Sequence, residues 1–236
     1  MTNDTKEAAL KYAAIGIAVF PVIPPMGNEK SSGKKPYISN WQNEATTSEE
    51  KIVEWWTKWP TANIGIATGR KSDGLVVIDL DIDDNKGING YEVLKEWQRE
   101  HGNLPETWQS ITGRGGYHLF YYDSVPHKSQ VGIYEGVDIR GEGGYVIAPP
   151  SIHANGHRYE WEQWKEDGVG IAKVNDCVLS FIKGFEQHCE EKQGFKEPET
   201  IPEGERVNTL IRLIGSLKAK GLENDSIMAA VCSENK

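Results

Sequence analysis

Residues 76–83, VVIDLDID, end an apolar run in carboxylates, Asp79 and Asp81, with Asp83 and Asp84 close behind. On a strand alternate side chains share a face, so Asp79 and Asp81 point the same way while Leu80 turns into the core. Two carboxylates so placed repel one another when desolvated, and a hard divalent cation bound through oxygen relieves the repulsion. Mg2+ takes one or two carboxylates and fills its shell with water and substrate phosphates. The plainer alternative is a solvated strand end whose acids bind nothing, and a bare D-x-D leaves the two about even. A calcium loop from Asp81 to Glu92 is disfavoured, because Lys86 stands where the sharp turn needs glycine and a strand leads into it. An aspartyl-phosphate nucleophile would need a surrounding parallel α/β sheet, which the chain does not offer.

Two further constellations follow. In SITGRGGYHLFYYD, Arg114 and His118 flank the glycines 115 and 116. Glycine lets backbone N–H groups approach an anion, and Arg and His add charge-assisted donors. Taken alone, a hairpin with a surface Arg and a structural His explains the stretch equally well. In GVDIRGEGGYVIAPPSIH, Asp138 and Arg140 lie one strand period apart, and Ser151 and His153 repeat the spacing. Asp138 is a candidate third carboxylate and Arg140 a candidate phosphate partner, against the simpler reading of a buried Asp–Arg pair. Three carboxylates beside Arg, His and Gly-rich turns suit metal-assisted phosphoryl or nucleotidyl transfer.

The elements that must position these residues read as hairpins with flanking helices, an α+β pattern. Asp4 with Glu7 predicts a capped helix, and Thr47 with Glu50 a second, with Ile52, Trp55, Trp56 and Trp59 at helical spacing and Pro60 ending it. That Trp cluster reads as core. Asn89 opens a third helix carrying Tyr91, Leu94 and Trp97, closed by Gly102. Strands are expected at IAVFPVIP, NIGIATG, GLVVIDLD, TWQSIT, YHLFYYD, GVDIR, GYVIAPPS and HRYEWE, with tight turns at glycines 115–116 and 143–144. A helix follows from Val174, then an acidic linker, then a segment with Leu210, Leu213, Ile214 and Leu217 in one stripe. The domain reading is 1–185, a linker at 186–204, and a helical segment at 205–236.

At 236 residues the chain can bury a sizeable core. Three cysteines without C-x-x-C spacing suggest neither a disulfide framework nor zinc, and imply a reducing, cytoplasmic setting. The longest apolar stretch, AAIGIAVFPVIPP, falls short of the ~18 residues of a spanning helix, so neither a membrane nor export is expected. A net charge of −9 argues against non-specific nucleic-acid binding, but residues 186–205 alone carry −5 of it.

With these motifs in hand, residues 8–165 resemble the bifunctional primase-polymerase domain of plasmids and phages, in the archaeo-eukaryotic primase superfamily. ALKYAAIGIAVFPV, GLVVIDLD, LPETWQSITGRGGYHLFY and GVDIRGEGGYVIAPPSIHANGHRYEW carry the resemblance in order, and EGERVNTLIRLIGSLKAKGLENDSIMAAV is similar to the small helical domain that often follows. The resemblance implies an α+β fold with an RRM-like catalytic sheet and flanking helices. It implies Asp79, Asp81 and Asp138 as ligands of Mg2+ or Mn2+, with no zinc module, and His118 as a contact to the incoming dNTP or NTP. Arg114, Gly115, Gly116, Arg140, Ser151 and His153 join the nucleotide-binding set. Gly116 stands where the superfamily pattern has Ser, and Arg114 or a backbone N–H is the expected substitute. The implied activity is primer synthesis or extension on a single-stranded DNA template, in a bacterial or archaeal cell, with a helicase domain or partner beyond residue 236. Lys30, Lys34, Lys35, Arg70 and Lys71 are candidate DNA contacts, about evenly weighed against a solvated loop. The alternative function is a non-catalytic nucleotide- or DNA-binding module tethered to a helicase.

Overall fold

The computed structural model describes residues 4–25 and 33–191. The elements run α1 (Asp4–Ala14), β1 (Val19–Val22), α2 (Trp41–Glu44), α3 (Glu49–Lys58), β2 (Asn63–Ala67), β3 (Leu75–Leu80), β4 (Ile82–Asp83), β5 (Ile88–Asn89), α4 (Gly90–His101), β6 (Gln109–Ile111), β7 (Tyr117–Tyr122), β8 (Gln130–Tyr134), β9 (Val137–Arg140), β10 (Tyr145–Ala148), β11 (Glu160–Gln163), β12 (Ala172–Lys173) and α5 (Asp176–Glu191). The described residues as far as Phe185 belong to one compact unit, Met1–Phe185. Residues 186–191, expected to begin the linker at 186–204, are the end of α5; Lys30, the rest of that linker and the helical segment at 205–236 lie outside the described residues.

The fold is α+β, with a mainly antiparallel large sheet in the order β11-β6-β7-β3-β9-β8, to which β12 adds in parallel beside β7. A second sheet, β1-β2-β10, is antiparallel throughout. β2 and β3, adjacent in sequence, belong to different sheets, with Ser72 buried in the crossing and its hydroxyl accepting from Ala18 N–H. β3 is buried along its whole length because both faces are covered. Leu75 and Val77 pack with the small sheet, α1 and α3, in a core that includes Tyr12, Phe20, Trp55 and Trp56. Val76, Ile78 and Leu80 pack with Leu94 of α4 and Val178, Phe181 and Ile182 of α5. A strand buried on both faces reads as a continuous apolar run, as VVI does. Burying these large side chains is worth roughly 1.5–3 kcal/mol each.

Local chemistry sets the element ends. α3 is capped by Ser48, whose hydroxyl accepts from Lys51 N–H, rather than by the expected Thr47. Asn89 caps α4 and Gly102 ends it, as the pattern predicts. The stretch from Asp81, disfavoured as a calcium loop, folds as the small β4–β5 ribbon with a tight turn at Asp84–Lys86. β8 carries no expected strand signal; Gly132 and the register shift against β9 interrupt its alternation.

Candidate active site

Register places three of the expected motif residues side by side. Asp79 pairs with His118 of β7 on one side and with Asp138 of β9 on the other. Directly opposed residues of antiparallel strands share a face, so the imidazole and both carboxylates stand in one row. Ser110 of β6, opposite His118, extends the row. All four are buried or nearly so.

Arg140 closes the site. Its Nε and Nη2 donate to Asp79 Oδ2 at 3.2 and 3.1 Å, and Nη2 donates to Asp138 Oδ2 at 2.7 Å. His118 Nε2 lies 3.4 Å from Asp79 Oδ1. Burial by itself would raise the Asp79 carboxyl, but His118 and Arg140 overcome it and hold the group at about 2. Asp138 Oδ1 accepts from Gly132 N–H at 2.7 Å, a donor presented by the interrupted β8. Asp81 lies beyond the end of β3, exposed, its carboxyl raised first by partial desolvation and then by repulsion from Asp79, with Asp138 adding to it. It is the least neutralised acid of the three. Ser110 Oγ and His118 Nδ1 are buried without a hydrogen-bond partner.

The glycines of the β6–β7 turn do different jobs. Gly115 supplies a φ of +85°, whereas Gly116 supplies clearance: a Cβ there would sit 2.3 Å from Leu80 O. The Ser of the superfamily pattern therefore has no room at this position.

One cavity is lined by part of this row and a second by the β6–β7 turn. One, about 320 Å3, is lined by Asp79, His118, Arg140, Lys34, Tyr145 and Tyr159, among others. The larger, about 680 Å3, takes Arg114 and Gly115 together with Asp83, Asn155 and Arg158. The expected nucleotide-binding set is thus divided, with Arg114 in a different cavity from His118. His153 is buried against the turn, Nδ1 lying 2.9 Å from Asn155 Oδ1, and Asn155 Nδ2 donates to Gly113 O at 2.6 Å. Burial lowers the His153 imidazole, and Lys34 and Arg114 push the same way against the Asn155 contact. Ser151 is fully buried and its hydroxyl accepts from Ile64 N–H at 2.9 Å, which ties it to β2 rather than to a ligand. Lys34 and Lys35 are exposed; Lys71 donates to Asn43 O at 2.6 Å, and Arg70 and Lys71 line a further cavity of about 360 Å3.

Tyr145, Tyr159, Trp41, Ser129 and Ser110 belong to the site or its walls and carry no motif signal. Ser110 alone was findable, eight residues before His118 across a short hairpin. The donor set suits a divalent cation: two hard carboxylates already share one positive group, Arg140, with a third acid close enough to feel both. Among the described residues no three acids, histidines or cysteines are drawn together as a metal cage.

These features describe an α+β domain whose central strands carry an acidic site with one arginine and one histidine. A family model, Bifunctional DNA primase/polymerase, N-terminal, matches residues 9–176. The chain belongs to that family, which implies primase or polymerase activity on DNA. No curated protein matches the chain. Among the described residues no helix is long and apolar enough to cross a membrane.

Proposed function

We propose that this chain is a template-directed nucleotidyltransferase that synthesises or extends primers on single-stranded DNA from dNTPs or NTPs. The observation that carries the reading is the row His118–Asp79–Asp138, in which Arg140 bridges the two carboxylates while His118, Asp79 and Arg140 line one cavity. Asp79, Asp81 and Asp138 are the residues that would hold Mg2+ or Mn2+. Bound there, such ions would lower the pKa of a primer 3′-hydroxyl and offset charge on the departing pyrophosphate.

The chain's own groups do the remaining work. Asp79 stays ionised throughout the physiological range, since its carboxyl is held at about 2. Arg140, with a side chain 30% exposed, is placed to trade a carboxylate for an incoming phosphate. His118 offers Nε2 on the same wall, and Lys34 adds a second cation at the mouth. Gly132 N–H and the paired strands keep Asp138 aimed while these partners change. The reading extends to phage or plasmid replication in a bacterial or archaeal cell, with a helicase domain or partner.

The test is extension of a labelled primer on single-stranded template with dNTPs and Mg2+ or Mn2+, beside the Asp79→Ala/Asp81→Ala variant. Metal-dependent extension by the wild type alone is expected. Equal activity of the variant refutes the assignment, and binding without incorporation under either metal favours a non-catalytic module.

A further inference from the structure

Trp41, in the short helix α2, is the wall common to the cavity of Asp79 and the cavity of Arg70 and Lys71; the two cavities otherwise share only Gly143 and Gly144. Its indole stacks on Phe20 with centroids 4.8 Å apart and planes at 25°, and meets Tyr145 edge-on at 4.8 Å. Phe20 and Tyr145 are themselves only 5.4 Å apart. Rings sandwiching the indole would stand nearly twice as far from one another, so the two do not sandwich it. The face opposite Phe20 is covered by neither ring.

The platform is rigid from below. Phe20 is fully buried and lies flat on Gly65, where an added Cβ would come within 2.4 Å of its ring. The surroundings are open and cationic. Gly143, at φ +71°, has nothing within 4 Å of where a Cβ would be, whereas at Gly144 the Ser129 and Thr68 hydroxyls lie close against the backbone, so the open side of the link between the cavities is at Gly143. Lys34 stands at one end, and the exposed Arg70 and Lys71 at the other. Glu142 lines the same cavity, its carboxylate turned to Arg70 N–H, so two cations face one acid at this end.

A part-exposed aromatic ring on a rigid support, lining two cavities with cations in each, suits sequence-tolerant binding of a single strand: charge follows the backbone and a base stacks on the ring. We infer that Trp41 stacks a nucleobase of the single-stranded template, which runs from the Arg70–Lys71 cavity over Gly143 and Gly144 towards Asp79. This rests on the proposed function for the identity of the strand, and assigns a role to a residue outside the carboxylate site.

The test measures binding of labelled oligothymidylate by anisotropy, without triphosphate, using a set of oligonucleotides with one abasic position moved along the strand. It is run in the wild type and in the Asp79→Ala/Asp81→Ala protein, each with Trp41, Trp41→Phe or Trp41→Ala. Trp41→Ala should weaken binding about tenfold, the worth of one stacked base, and Trp41→Phe should retain most of it. With Trp41 present, one abasic position should cost a similar factor, and Trp41→Ala should abolish that sensitivity. The abasic comparison is internal to each protein, so it stands even where a variant is less stable. Unchanged affinity in Trp41→Ala, or the same abasic profile with and without the indole, overturns the inference. A rise in triphosphate KM with no change in strand affinity also overturns it, giving the face to the incoming base. A wild type that binds strands through Trp41 but fails to extend primers refutes the catalytic reading and leaves this one standing.

Discussion

Replacing Arg140 by glutamine removes the guanidinium that Asp79 and Asp138 share and leaves two carboxylates opposed on neighbouring strands. Directly opposed side chains have Cβ atoms about 5 Å apart. At an effective dielectric of about 20, two like charges at that separation cost about 3 kcal/mol. The depression of Asp79 from 3.8 to about 2 gives an independent figure of about 2 kcal/mol for the favourable contacts of His118 and Arg140 net of burial. A loss of about 3 kcal/mol also sits at the low end for breaking a buried pair, as suits an arginine 30% exposed. For a unit of this size the melting midpoint should fall by about 6–12 °C at pH 7, read by calorimetry of wild type and variant. The sign follows from linkage. A carboxyl held below its unfolded value contributes stability that is fully present above about pH 4 and is lost as pH falls towards 2. In the variant one carboxyl takes a proton more readily, so the gap to wild type should narrow as pH drops from 7 to 4. Millimolar Mg2+ should raise the variant's midpoint more than the wild type's. A midpoint unchanged at pH 7, or a gap that stays constant with pH, refutes the picture of Arg140 as counter-charge.

Further outcomes follow from single contacts. Gly132→Ala should raise the Mg2+ concentration for half-maximal extension, because strain at φ +66° displaces the N–H that holds Asp138, whereas Gly168→Ala, equally strained at φ +82° and with nothing within 4 Å, should lower the melting midpoint alone. Gly116→Ser should destabilise by about 2 kcal/mol or more in denaturant titration without improving triphosphate KM, since its Cβ would meet Leu80 O at 2.3 Å. Ser151→Ala should cost about 1–3 kcal/mol of stability, leaving Ile64 N–H unpaired, while triphosphate KM stays as in wild type. Ser110→Ala should leave stability within about 1 kcal/mol, because the hydroxyl it deletes has no partner to lose.

How much was legible in the chain can be judged residue by residue. The apolar run ending at Asp79, the alternation that puts Asp138 and Arg140 on one face, and the Asn89 and Gly102 ends of α4 are local properties, set by strand period and capping chemistry. These determined the α+β class and the acids worth watching. Pairing between distant strands was decided only in three dimensions, because backbone hydrogen bonds carry no side-chain signature. Register alone makes His118 and Asp138 the two neighbours of Asp79, and register gives Arg140 two carboxylates instead of the one its spacing suggested. Ser151 and Arg114 show the converse. Both had suitable chemistry and position in sequence, but packing against β2 used the hydroxyl of the first, and the β6–β7 turn carried the second into another cavity. Trp41 had no pattern to mark it at all. Its place on the wall of two cavities exists because Phe20, packed on Gly65, stacks on the indole while Tyr145 meets it edge-on, a convergence of segments far apart in the chain. The sequence by itself determined which groups could do chemistry; which of them meet was decided by strand register and close packing, through contacts between residues that only the fold brings together.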